Sequence, residues 1–145
     1  DRVRPGDCLG KQVRMGGAFY PSLTRSKPPF PLPVVYEDDH FAIVNKPAGV
    51  VTYSHRKGGH GTLTVRSALP FVLRPPRPGT VQLLRRPVPV HRLDRATSGL
   101  LLVAKTKPAL LELSRSFVQR HVQKTYQAVL NGVPQWEEGM AGGAA

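Results

Sequence analysis

From Val34 onward the chain changes from charged, proline-rich sequence to short apolar runs. Val34-Val35-Tyr36 and Phe41-Ala42-Ile43-Val44 flank the polar stretch Glu37-Asp38-Asp39-His40, and two apolar runs around a polar turn predict a hairpin. In Asn45-Lys46-Pro47-Ala48-Gly49 the proline fixes φ and the glycine permits positive φ. This predicts a sharp turn with Lys46 exposed on it, before Val50 to Tyr53. His55 to Gly61 is basic and glycine-rich and reads as a loop, with Thr62 as the cap of a short helix that ends at Leu69 because Pro70 stops it. Residues 74–89 are dense in proline and arginine, lack apolar periodicity, and predict an irregular exposed loop.

Leu100 to Val103 is the longest part of an apolar run that should be strand and core. Thr106-Lys107-Pro108 predicts a helix start, with Thr106 as cap and Pro108 in the first turn. The helix should reach about His121, with Leu110, Leu113 and Phe117 on its apolar face and Leu111 and Val118 flanking them. After it, Lys124, Tyr126, Ala128 and Leu130 alternate with Thr125, Gln127 and Val129 up to Asn131-Gly132. That period of two predicts a strand with Tyr126 and Lys124 on the same side. The whole is expected to be an α+β fold: a mostly antiparallel mixed sheet with one or two helices. The proline-dense run Lys27 to Pro33 reads as an extended connector, which divides the chain into an extension at 1–33, a domain at 34–136, and a tail at 137–145 without a packing pattern.

Charge sharpens this picture. The chain carries 21 Lys and Arg against 9 Asp and Glu, a net charge of +12, and a surplus of this size in 145 residues favours a polyanionic partner such as nucleic acid. Residues 55–95 hold nine of the cations and a single acid, Asp94. Cys8 is the only cysteine, so neither an internal disulfide nor a cysteine-based metal framework can form, and a reducing, intracellular setting fits. No apolar run approaches the ~20 residues a membrane helix needs, so no membrane role is expected.

Chemistry concentrates in His91-Arg92-Leu93-Asp94-Arg95-Ala96-Thr97-Ser98-Gly99, which leads directly into the apolar run. Asp94 stands between two arginines, an arrangement that keeps a carboxylate anionic and able to act as a nucleophile while the guanidinium groups grip phosphates. His91 reads as a hydrogen-bonding core residue. Ser98, His91 and Asp94 could be written as a hydrolase triad, yet the G-x-S-x-G elbow is absent and the three crowd within eight residues. His55, His60 and His91 lack metal-ligand spacing, so no metal is expected.

Three stretches, Asn45 to Gly49, His91 to Thr106 and Lys124 to Ala128, together resemble the RluA-type RNA pseudouridine synthases. That resemblance implies conversion of uridine in RNA to pseudouridine, with no cofactor. It implies Asp94 as the catalytic carboxylate. Arg92 would take the place of the flipped uridine in the RNA helix, and Tyr126 would stack on the target base; Arg95, Lys124 and Lys46 are expected to contact RNA. Ejecting a base costs a few kcal/mol and a stacked aromatic returns about 1 to 3 kcal/mol, so such groups are physically required. The substrate would be ribosomal or transfer RNA and the protein a monomer. Family members continue through a later motif whose arginine pairs with the aspartate. The chain therefore resembles the amino-terminal part of such a catalytic domain, with weak or no activity alone. A catalytically inactive RNA-binding module is the alternative.

Overall fold

The computed structural model describes residues 27–54 and 63–133. The expected tail at 137–145, residues 1–26 of the extension, Cys8, His55, His60 and the proposed cap Thr62 lie outside them. Six elements follow in order: β1 (Val34–Glu37), β2 (Phe41–Lys46), α1 (Val65–Val72), β3 (Leu83–Pro89), β4 (Gly99–Thr106) and α2 (Lys107–Val118). The strands form one sheet in the order β1-β2-β4-β3, with every neighbouring pair antiparallel. The expected mixed sheet is thus antiparallel throughout, and the parallel contact is an isolated bridge between Val51 and Thr64.

The predicted hairpin is present. Asp38 closes it by accepting from the backbone N–H groups of His40 (2.7 Å) and Phe41 (2.8 Å), a local side-chain turn that aspartate makes readily. β2 lies against β4 in continuous register from Phe41 opposite Ala104 to Lys46 opposite Gly99. Ala42 and Val44 of β2 and Leu101 and Val103 of β4 are buried on one face with Val65, Ala68 and Leu69 of α1, and with Leu32, Leu73 and Leu93. Period-two alternation within β4 leaves Leu100 on the other side, 57% exposed. Only half of the run Leu100 to Val103 therefore anchors the core. Leu32 is buried and the Pro33 carbonyl accepts from the Asn45 N–H (2.9 Å), so the packed unit begins before the expected boundary at Pro33.

Three local expectations are corrected. The short helix is capped by Thr64, whose hydroxyl accepts from the Ser67 N–H while the Ser67 hydroxyl accepts from the Thr64 N–H, a reciprocal capping box. It runs through Pro70 to Val72, because the proline ring and Leu69 bury in the core and outweigh the backbone bond that proline cannot donate. Residues 83–89 form an edge strand rather than a loop. The Val90 N–H points inward to the Leu102 carbonyl (2.9 Å), so by alternation the nitrogens of Pro87 and Pro89 face the open side, where a missing donor breaks no pairing. Finally, residues 124–130, the expected tyrosine strand, join no strand among the described residues. Alternation alone does not make a strand: β2 and β4 are flanked on both sides, and these residues join neither margin, β1 or β3.

α2 starts as predicted at Thr106, whose hydroxyl accepts from the Ala109 N–H, and has a proline in its first turn. It ends at Val118, a turn's fraction short of His121, because Arg120 adopts φ 56° and the His121 and Arg120 N–H groups fold back to the Ser116 and Phe117 carbonyls. Its face is covered only in part: Leu110, Leu113 and Phe117 are half-buried, whereas Leu111 and Val118 are exposed. No helix of the described residues is long and apolar enough to cross a membrane.

Candidate active site

Asp94 lies in the connection between β3 and β4, on a turn closed by the Thr97 N–H donating to the Asp94 carbonyl (3.1 Å). Gly99, at φ 133°, turns the chain from there into β4, a conformation that suits glycine. The Asp94 side chain is 83% exposed and stands 3.8 Å from the Arg92 guanidinium, itself 68% exposed. A pair so open to water contributes little to stability. Its carboxylate is accessible and carries a cation beside it.

The backbone around Asp94 is fixed although its side chain is free. Before it, Leu93 is buried in the core, and the buried Thr52 hydroxyl donates to the Leu93 carbonyl (3.0 Å) and accepts from the Leu93 N–H (3.3 Å). After it, the Arg95 carbonyl accepts from the Gly49 N–H (2.7 Å), and the Arg95 Nε donates back to the Gly49 carbonyl (3.0 Å). Arg95 was expected to reach RNA; here part of its guanidinium is engaged by the 47–50 turn.

Lys46 is the clearest correction. Rather than standing exposed on its turn it is wholly buried, and its ammonium donates to the carbonyls of Val50 (2.8 Å), Pro47 (3.1 Å) and Arg95 (3.4 Å). β2 continues one residue beyond the hydrophobic run, so Lys46 falls on the same inward face as Ala42 and Val44. Burial lowers its pKa from the usual lysine range, with the negative charge of Asp94 opposing that shift. Lys46 thus supports the Asp94 turn from beneath and cannot reach a polyanion from this position.

His91 is a structural residue, as its position before the turn implies. Its Nε2 accepts from the Leu102 N–H (3.1 Å) and its ring stacks on Phe117 with centroids 4.6 Å apart. With Nε2 occupied, it is not the base of a Ser98 triad. Burial lowers the His91 pKa, and the Lys124 charge adds to the effect. The unfolded chain therefore takes up a proton near pH 6.5 before the folded one does, and folding stability is expected to fall as the pH drops below that value. Urea midpoints measured from pH 7.5 down to pH 5 check this; His91→Gln should flatten the dependence.

Tyr126 is 62% exposed on an extended segment without strand pairing, and Lys124 places its ammonium 5.7 Å from the Phe117 ring centroid. Both line a cavity of about 340 Å³ together with His91, Leu93, Ser98 and Phe117. A second, more open hollow of about 650 Å³ lies between Ala96, Thr97 and Ser98 on one side and Thr125, Tyr126 and Gln127 on the other. The structure therefore brings Tyr126 against the turn that carries Asp94, while the carboxylate itself borders neither hollow. Sequence reasoning missed Thr52, and it placed Phe117 on the apolar face of the helix without its contact to His91. Thr52 was visible as the one hydroxyl in the run Val50-Val51-Thr52, whereas nothing in the sequence pairs Phe117 with His91.

The RNA pseudouridylate synthase family model matches residues 40–141. Ribosomal large subunit pseudouridine synthase D of Neisseria meningitidis serogroup B is 43% identical over 109 residues, which cover 72% of this chain and 26% of that protein. Its namesake from Zymomonas mobilis is 40% identical over 72% of this chain and 32% of its own length. An uncharacterized RNA pseudouridine synthase of Chlorobaculum parvum is 38% identical over 92% of this chain and 43% of its own. Among solved structures, human RNA pseudouridylate synthase domain containing 4 is 24% identical over 61% of this chain and 30% of that one, with a TM-score of 0.45. The chain thus spans about a quarter to under half the length of the curated relatives it matches.

Proposed function

Because the chain belongs to the RNA pseudouridylate synthase family, we propose that it carries the catalytic aspartate of an enzyme that isomerises uridine to pseudouridine in RNA. Asp94 is the nucleophile. Its carboxylate oxygen bonds to the sugar carbon as the bond from that carbon to N1 of uracil breaks; the ring turns, C5 attacks the same carbon and releases the carboxylate unchanged, and the proton lost from C5 is balanced by one gained at N1. Nothing is oxidised or reduced, so the chemistry asks for no redox cofactor. The observation that carries the reading is an exposed carboxylate on a turn whose backbone is tied down on both sides.

Arg92 is suited to enter the RNA stack, since its guanidinium is planar, exposed and already beside the carboxylate. Tyr126, across the hollow from Ala96 to Ser98, offers its ring to the ejected base. Lys124 and Arg95 add positive charge near the turn. The residues from about Leu32 to residue 136 act as part of the catalytic domain, with those before as its extension. Ribosomal RNA is the favoured substrate, on the strength of the relatives' names, with transfer RNA second; a monomer acting inside the cell completes the reading.

The test is product formation. Whole protein incubated with uridine-containing ribosomal RNA should yield pseudouridine, detected as carbodiimide-dependent stops in reverse transcription. Tight binding of that RNA without any product from the whole protein would support an inactive binding module instead.

A further inference from the structure

We propose that Thr52 is a positioning residue for the Asp94 nucleophile, acting through the peptide that joins Leu93 to Asp94. The proposal rests on the reading of Asp94 given above. A peptide unit is planar, so the Leu93 carbonyl, the Asp94 nitrogen and the Asp94 Cα share one rigid plate. The Thr52 hydroxyl holds that plate by its oxygen (3.0 Å) and the preceding one by the Leu93 N–H (3.3 Å). Beyond Asp94, the next carbonyl is held by the Thr97 N–H, and the one after it by the Gly49 N–H and the Lys46 ammonium. With the plates on both sides fixed, the Asp94 Cα and the direction of its Cβ are fixed too. Only the two side-chain torsions remain for the exposed carboxylate to choose.

Of these ties, Thr52 is the one that a side-chain change can remove cleanly. The Gly49 contribution is backbone, and Lys46 bridges several carbonyls at once. Thr52 is 2% exposed and Leu93 8%, so water cannot readily take over both bonds if the hydroxyl is lost. Valine has nearly the shape of threonine and neither bond. A nucleophile displaced by an ångström loses rate without losing substrate affinity, by up to about a hundredfold.

Thr52→Val in the whole protein is expected to lower kcat for pseudouridine formation by about tenfold to a hundredfold. KM and RNA affinity should stay within about twofold, because residue 52 touches no RNA in this arrangement. Thr52→Ser, which keeps the hydroxyl, should recover most of the rate. Exchange of the Leu93 amide in the 145-residue chain should quicken in Thr52→Val while that of Val103 holds. Thr52→Ala provides the same readings if the valine variant does not fold. The inference is overturned if kcat in Thr52→Val matches wild type while Asp94→Asn is inactive, or if Thr52→Ser loses as much rate as Thr52→Val. An active Asp94→Asn in the same assay would instead remove the reading of the nucleophile on which the proposal rests.

Discussion

Asp94→Asn is expected to abolish pseudouridine formation, with a loss of about a thousandfold or more in kcat, while the protein keeps its fold and its grip on RNA. The two side chains have the same shape, but the amide lacks the anionic oxygen that can attack carbon. The substitution disturbs little else. The Asp94 carboxylate is 83% exposed, its ion pair is a 3.8 Å approach to an exposed Arg92, and the turn is held through backbone atoms that asparagine retains. Thermal melting and RNA affinity should therefore match wild type, so a lost rate can be assigned to chemistry. A variant that still makes product at the wild-type rate would place the nucleophile elsewhere.

Glu37→Leu is expected to cost about 3 to 5 kcal/mol of folding free energy, the usual result of leaving one partner of a buried ion pair alone. The Lys105 ammonium, 2% exposed, lies 2.9 Å from the Glu37 carboxylate, which is 7% exposed, and also donates to the Asp38 carbonyl (2.6 Å). Without Glu37 the charge stays buried with a single carbonyl, and the Arg74 N–H loses its acceptor (2.8 Å) as well. Against a typical domain stability of about 5 to 15 kcal/mol, that is a severe loss. Urea unfolding measures it, and adding Lys105→Met should restore part of the deficit by removing the stranded charge. A midpoint unchanged in Glu37→Leu would mean that the pair adds nothing. The pair sits near Phe41 and Ala104, at the end of the sheet away from Lys46 and Gly99, so at permissive temperature turnover should survive.

Local signals in the sequence were legible where local physics decides. The polar turn Glu37 to His40 and the cap at Thr106 need no distant partner, and both are found where expected. Asp94 was conspicuous as the single acid in a basic stretch, and the structure places it exposed on a turn. The residues misjudged are those whose state depends on another part of the chain. Lys46 looked like a surface cation because a charge beside a turn usually is one; its burial follows from carbonyls that include one 49 residues away. Thr52 meets Leu93 across 41 residues. Lys124 to Leu130 has the alternation of a strand but joins neither margin of the sheet, and Leu83 to Pro89 lacks it yet pairs along β4.

That last strand governs how the molecule behaves in a crowd. With its nitrogens at 87 and 89 carrying no hydrogen on the outer side, β3 is at that end a poor template for a strand from a neighbouring molecule. The opposite margin, β1, breaks register between Val34 and Tyr36 and spoils the straight ladder that an incoming strand would copy. Both margins are thereby ill suited to take on a further strand, although α2 leaves leucine and valine uncovered.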